Sequence, residues 1–106
     1  MKFGERIKDL RTKKGLTLDQ LAQDTGSSKS YIWELENKNP PRPSAEKLSA
    51  IAGALGVTVD YLIGSDKQTL SQAEDTAFSR QYSVLPEDPR RQIREMARIL
   101  DTKTRK

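Results

Sequence analysis

Residues 17–37 read TLDQLAQDTGSSKSYIWELEN, a stretch that holds two short helices separated by a glycine turn. Thr17 is followed three positions later by Gln20, the reciprocal pattern in which each side chain satisfies a free backbone N–H at a helix start. Leu18, Leu21 and Ala22 supply one apolar face, so a helix is expected over 17–25. Gly26 admits a positive φ without steric cost and lets the chain turn. Ser27 or Ser28 can then cap a helix through Asn37 whose inward residues are Ile32 and Leu35.

Working outward, Phe3, Ile7 and Leu10 fall at i, i+4 and i+7, which predicts an amphipathic first helix over 2–14, stopped by Gly15. On the other side, three prolines between Lys38 and Pro43 forbid a helix and favour an extended loop. A fourth helix is expected from Ser44, with Leu48, Ile51, Ala52 and Leu55 on its buried face and Gly56 at its end. Thr58 caps a very short fifth helix containing Val59, Leu62 and Ile63, closed by Gly64.

Residues 65–70 are polar, carry no apolar stripe and read as a linker. Ser71 and Glu74 repeat the capping pattern, and Phe78, Tyr82 and Leu85 keep helical spacing. The Pro86–Pro89 segment interrupts, and Ile93, Met96, Ala97 and Leu100 mark a last amphipathic helix to about Asp101. The closing KTRK, residues 103–106, is expected to fray. The expected fold class is therefore all-α: a five-helix domain over 1–64, the linker 65–70, and a C-terminal extension of about two helices over 71–106.

Composition narrows the chemistry. The chain has 106 residues, enough for one ordinary core and a short appendage. It contains no cysteine and no histidine, which removes disulfides, thiol nucleophiles, zinc–thiolate sites and the commonest general base. With no glycine-rich phosphate loop and no convergent acids, no catalytic group, metal or cofactor is nominated, and the chain is not expected to be an enzyme. No apolar run approaches the ~18 residues of a membrane span, and Met1–Lys14 is basic without the apolar segment of a signal peptide, so a cytoplasmic protein with no membrane partner is expected. The net charge of +4 is modest, but its placement is not even. Residues 1–14 hold six basic and two acidic side chains, and residues 90–106 hold seven and two. Positive ends suit phosphate contacts, with a slightly acidic middle between them.

Two short helices joined by a glycine-containing turn make a helix-turn-helix, whose second helix can lie in a DNA major groove. The run LTLDQLAQDTGSSKSYIWELEN, continued by PSAEKLSAIAGALGV and TVDYLIG, resembles the phage repressor and Cro family, also called the XRE family. The resemblance covers about residues 3–64 and extends to the order and spacing of all five helices. It implies double-stranded DNA as the partner and a phage-repressor-like domain as the fold. It places Thr17 and Gln20 against phosphate at the start of the second helix. It places Ser28, Lys29, Ser30 and Glu34 on the groove-facing side of the third. Lys29 can donate to guanine O6 and N7, Glu34 can accept from cytosine N4, and serine can do either. The rival readings are capping for the serines and a solvated carboxylate for Glu34. The resemblance further puts Asn37, Lys38 and Arg42 on the sugar–phosphate backbone, and makes Arg11 and Glu36 an ion pair tying the first helix to the end of the third.

Two positions depart from the family pattern. Trp33 stands where relatives often have serine. Packing on Tyr31 or on the Pro40–Pro43 loop is the favoured reading, with contact to a thymine methyl as the alternative. Lys38 replaces the glycine usual after the recognition helix, which leaves the path of that loop open.

A single recognition helix reads few base pairs, so a homodimer on an inverted repeat is expected. Phe78, Tyr82, Leu85, Ile93, Met96 and Leu100 are too few for an independent core but enough to pair with a second copy. The alternative is that these helices fold back on the short fifth helix. The leading functional expectation is a repressor. The second, from another class, is an antitoxin-like interaction module whose tail captures a protein partner and whose helix-turn-helix autoregulates.

Overall fold

A computed structural model describes residues 1–65 and 67–104. Among the described residues the elements are all helical: α1 (Phe3–Lys13), α2 (Leu18–Asp24), α3 (Lys29–Asn37), α4 (Ala45–Leu55), α5 (Val59–Leu62), α6 (Leu70–Ser83) and α7 (Glu87–Thr104). Side-chain caps set most of the starts. Thr17 and Gln20 form the full reciprocal box, Thr17 N–H donating to Gln20 Oε1 at 2.8 Å and Gln20 N–H to Thr17 Oγ1 at 3.0 Å. Ser28, Ser44 and Thr58 accept from Tyr31, Lys47 and Tyr61 N–H respectively.

The apolar stripes meet in one core. Ile7, Leu21, Ile32, Leu35, Ile51, Leu55 and Leu62 are fully buried, one or two from each of the first five helices. α3 packs between α1 and α2, α4 supports α2, and α5 bridges α4 and α1. Each such aliphatic side chain contributes ~1.5 to 3 kcal/mol on burial, so the inward face of α3 is held at both Ile32 and Leu35. The outward face is thereby fixed in direction.

The tail differs from expectation in its register. The capping box at the start of α6 is Thr69 with Gln72, not Ser71 with Glu74. Both patterns occur two residues apart. The earlier one places half-buried Leu70 and fully buried Ala73 against the five-helix core, which the later one would not. The stretch read as a linker therefore ends in a cap and a core-packing leucine; Asp66 within it lies outside the described residues. α7 continues to Thr104 rather than ending near Asp101, so Lys103 and Thr104 are helical; Arg105 and Lys106 lie outside the described residues. α7 buries none of its residues. No described helix is long and apolar enough to cross a membrane, and no described group of acidic residues could hold a metal ion.

Candidate nucleic-acid interface

Lys29, Ser30, Trp33, Glu34 and Asn37 are the exposed residues of α3. They recur at i, i+1, i+4, i+5 and i+8, which is one continuous stripe opposite Ile32, Leu35 and Glu36. Lys29, Ser30 and Glu34 therefore share one outward surface. Ser28 is also exposed but sits before the helix, its Oγ accepting from Tyr31 N–H at 3.1 Å, so one lone pair is engaged as a cap while the O–H hydrogen and the second lone pair remain. At the α2 start, the box uses the amide oxygen of Gln20 and leaves the amide nitrogen as the group it can offer to an anion.

The turn between α2 and α3 is held from outside itself. Gly26 takes φ 64°, and Lys47 on α4 reaches across to donate from Nζ to Ser27 Oγ at 2.8 Å and to the carbonyl of Thr25 at 3.1 Å. The same ammonium lies 5.8 Å from the centre of the Tyr31 ring. A cation at the carbonyl end of α2 complements the helix dipole as well. Lys47 was not singled out from the sequence, because nothing local links it to a turn 20 residues away.

Two contacts fasten α1 to the far end of α3. Arg11 grips Glu36 with both arms, Nε to Oε2 at 2.6 Å and Nη2 to Oε1 at 3.0 Å, while Nη1 donates to the Leu16 carbonyl at 2.9 Å. The Glu36 side chain is 1% exposed and that of Arg11 11%. The hydrogen bond from Arg11 to the Glu36 carboxylate raises the guanidinium pKa further above its already high ordinary value, against the opposing effect of burial. Gly4 packs against the same helix end: a Cβ there would collide with the Leu35 carbonyl oxygen and come within 2.9 Å of that of Glu36. Gly4 is a second residue the sequence reading passed over.

The loop after α3 also becomes definite. Lys38 is the C-cap in right-handed geometry, and the left-handed residue is Asn39, at φ 48°. The reversal thus falls one position after the glycine it replaces, on a residue type that tolerates it. Lys38 Nζ sits 5.5 Å over the Trp33 ring, and the Arg42 guanidinium 5.5 Å over Phe3. Asn37 Nδ2 donates back to the Trp33 carbonyl at 2.9 Å. Trp33 is 43% exposed. Lys38 is thus a cationic partner of its ring, and Tyr31, two residues away, faces Lys47.

In the tail, Phe78, Ile93, Met96 and Leu100 line one open apolar groove of about 480 Å³ with Pro89 and Ala97. Tyr82 stacks on Phe78 at 6.3 Å, and its hydroxyl accepts from Arg94, which also pairs with Glu87. The carboxyl of Glu87 is held below its ordinary pKa by that hydrogen bond from Arg94 and by the charge behind it. Leu85 is half-buried in the bend between α6 and α7 and does not line the groove. The folded-back alternative describes a different face of α6: Leu70 and Ala73 pack on the core, and Ala77 faces Ala52, Val57 and Val59.

Comparison with known proteins agrees with the helix-turn-helix architecture. A helix-turn-helix family model matches residues 7–62, more than half of the chain. The immunity repressor protein of Bacillus phage phi105 is 37% identical over 79 residues, covering 74% of this chain and 53% of the repressor. The chain thus spans about half the length of that relative. Among solved structures, the master regulator for biofilm formation SinR in complex with DNA matches at 37% identity and TM-score 0.54, over 57% of this chain and 95% of that one. A SinR/SinI protein complex matches at 26% identity and TM-score 0.55, over 94% of this chain and 98% of that one. These relatives are named as a repressor and as regulators, not as enzymes. On the match over residues 7–62 and the five-helix architecture that carries it, the chain belongs to the helix-turn-helix family of the phage-repressor (XRE) type.

Proposed function

We propose that this chain is a DNA-binding transcription regulator, a repressor that places α3 in the major groove of an inverted-repeat operator as a homodimer. The observation that carries the reading is the polarity of α3. One face is locked to the core by Ile32, Leu35 and the Arg11–Glu36 pair, and the other presents Lys29, Ser30 and Glu34 together. In this reading those three side chains, with the hydroxyl hydrogen of Ser28, address base edges. Thr17, Gln20, Asn37, Lys38 and Arg42 flank them at the α2 start and beyond the α3 end, and hold sugar–phosphate. The likeness to a SinR chain in complex with DNA supports DNA as the partner.

Residues 1–64 act as the reading module and the following helices as the dimerisation segment. α7 is a strongly two-faced helix with no buried residue, and Met96 and Phe78 are 64% and 53% exposed. An apolar groove of this kind is completed when a second copy supplies the same stripe. One likeness that reaches through the tail is to a SinR/SinI protein complex, which favours a second reading in which the groove takes a different protein. Selection of bound duplexes from a random pool by the full chain at stated salt tests the proposal. An enriched sequence with two half-sites about one helical turn apart, ~34 to 36 Å, is expected; no enrichment, or enrichment without symmetry, refutes the dimeric reader.

A further inference from the structure

Trp33 occupies the middle of the α3 stripe: its neighbours at i−4, i−3 and i+4 are Lys29, Ser30 and Asn37, all exposed. The indole is not used by the core. It borders a shallow notch of about 300 Å³ whose other walls are Leu18, from the first turn of α2, and Lys29, Ser30 and Glu34. Leu18 is half-buried against the core and so is fixed in place. The notch therefore has two apolar walls, Leu18 and Trp33, and a polar rim. Lys38 lies over the Trp33 ring, which holds the indole and brings a positive charge to its edge.

A major groove offers donors and acceptors on every base pair and only one apolar group, the C5-methyl of thymine. An apolar notch in the centre of a groove-facing stripe matches that group and none of the others. We propose that Leu18 and Trp33 form a recognition site for the 5-methyl group of a pyrimidine, so that each half-site prefers thymine at one fixed position. Lys29 and Glu34 read the bases on either side of it by hydrogen bonding. This inference rests on the reading that α3 enters the major groove, and it adds the base that its central residue selects.

Uracil differs from thymine at this edge only by the methyl. The test uses the full chain and a duplex recovered from the random pool, with its thymines replaced by uracil one pair of symmetry-related positions at a time. Binding is read by anisotropy at fixed salt, and by the fluorescence of Trp33, the only tryptophan in the chain. At one position per half-site, the replacement is expected to weaken binding about fourfold per half-site, the factor that burial of one methyl group gives. The indole emission should shift on binding the thymine duplex and shift less on the uracil duplex. Trp33→Ala should bind both duplexes alike, and Trp33→Phe, which keeps an apolar ring, should recover part of the difference. Far-UV circular dichroism matching the parent establishes that these variants fold. Sequence-selective binding that ignores uracil at every position overturns the methyl site while leaving the DNA reading intact. So does a thymine preference that survives unchanged in Trp33→Ala. Loss of all sequence preference in the unaltered chain would instead refute the reading on which the site rests.

Discussion

Glu36→Ala removes the carboxylate that answers Arg11, and the geometry sets the size of the effect. The guanidinium is almost enclosed, and two of its three hydrogen bonds go to Glu36, leaving only Leu16 O at 2.9 Å. Orphaning one member of a buried pair costs ~3 to 5 kcal/mol, far more than the ~0 to 1 kcal/mol of an exposed pair. A module of this size holds only ~3 to 10 kcal/mol in all, at ~0.05 to 0.15 kcal/mol per residue, so this substitution should bring it close to unfolding at room temperature. The assay is equilibrium urea denaturation followed by far-UV circular dichroism. A partner experiment separates the loss of the pair from the stranding of a charge. Arg11→Met with Glu36→Met replaces both ends by apolar side chains, and it should recover stability to within ~1 kcal/mol of the parent or exceed it. If Glu36→Ala costs less than ~1 kcal/mol, or if the double variant is as unstable as the sum of the two single ones, the pair is not the brace between α1 and α3 described above.

Three other outcomes follow from the same contacts. Lys47→Met should cost ~1.5 to 3 kcal/mol in the same urea assay by removing a charged donor from Ser27 and Thr25, and should speed hydrogen exchange at the Gly26–Ser28 amides; unchanged exchange there would contradict the clamp. Gly4→Ala should destabilise by ~1 to 3 kcal/mol although alanine is the better helix former, because its Cβ meets carbonyl oxygens of α3; a stabilised variant would show that α1 can move away. The Glu87 carboxyl, its pKa lowered chiefly by the Arg94 hydrogen bond, favours the folded tail at pH above its unfolded pKa and loses that contribution as pH falls through the folded value. A carboxyl NMR titration should place its midpoint below the ordinary glutamate range, and Arg94→Met should return it upward.

What the sequence disclosed follows the range of the forces involved. The Thr17–Gln20 box, the serine and threonine caps and the apolar stripes act within one or two turns, and they appear in the chain as spacing. The tail start was misplaced by two residues because Thr69–Gln72 and Ser71–Glu74 are equally good caps locally. Only the docking of Leu70 and Ala73 decides between them, and that is tertiary. Lys47 and Gly4 were illegible for the same reason: one bonds a turn 20 residues away, and the other is defined by a carbonyl on a different helix. Asn39 had a partial signal, since a missing glycine beside an asparagine permits the left-handed residue to move one place. Trp33 stands out in the sequence, but its partner Lys38 depends on how the chain leaves α3. The Arg11–Glu36 pairing came from the family resemblance, as a separation of 25 residues carries no periodic cue.

The central claim is that α3 reads bases while its flanks hold phosphate, and the salt dependence of two variants tests it most directly. Affinity of the full chain is measured for the selected duplex and its single-base variants over a range of salt concentrations. Lys29→Ala should lose ~1 to 3 kcal/mol on the selected duplex and relax the preference at one base position. Arg42→Ala should weaken all sequences alike and flatten the salt slope by about one unit. The reverse pattern, a relaxed base preference in Arg42→Ala with a uniform loss in Lys29→Ala, would contradict the assignment of α3 as the reading helix.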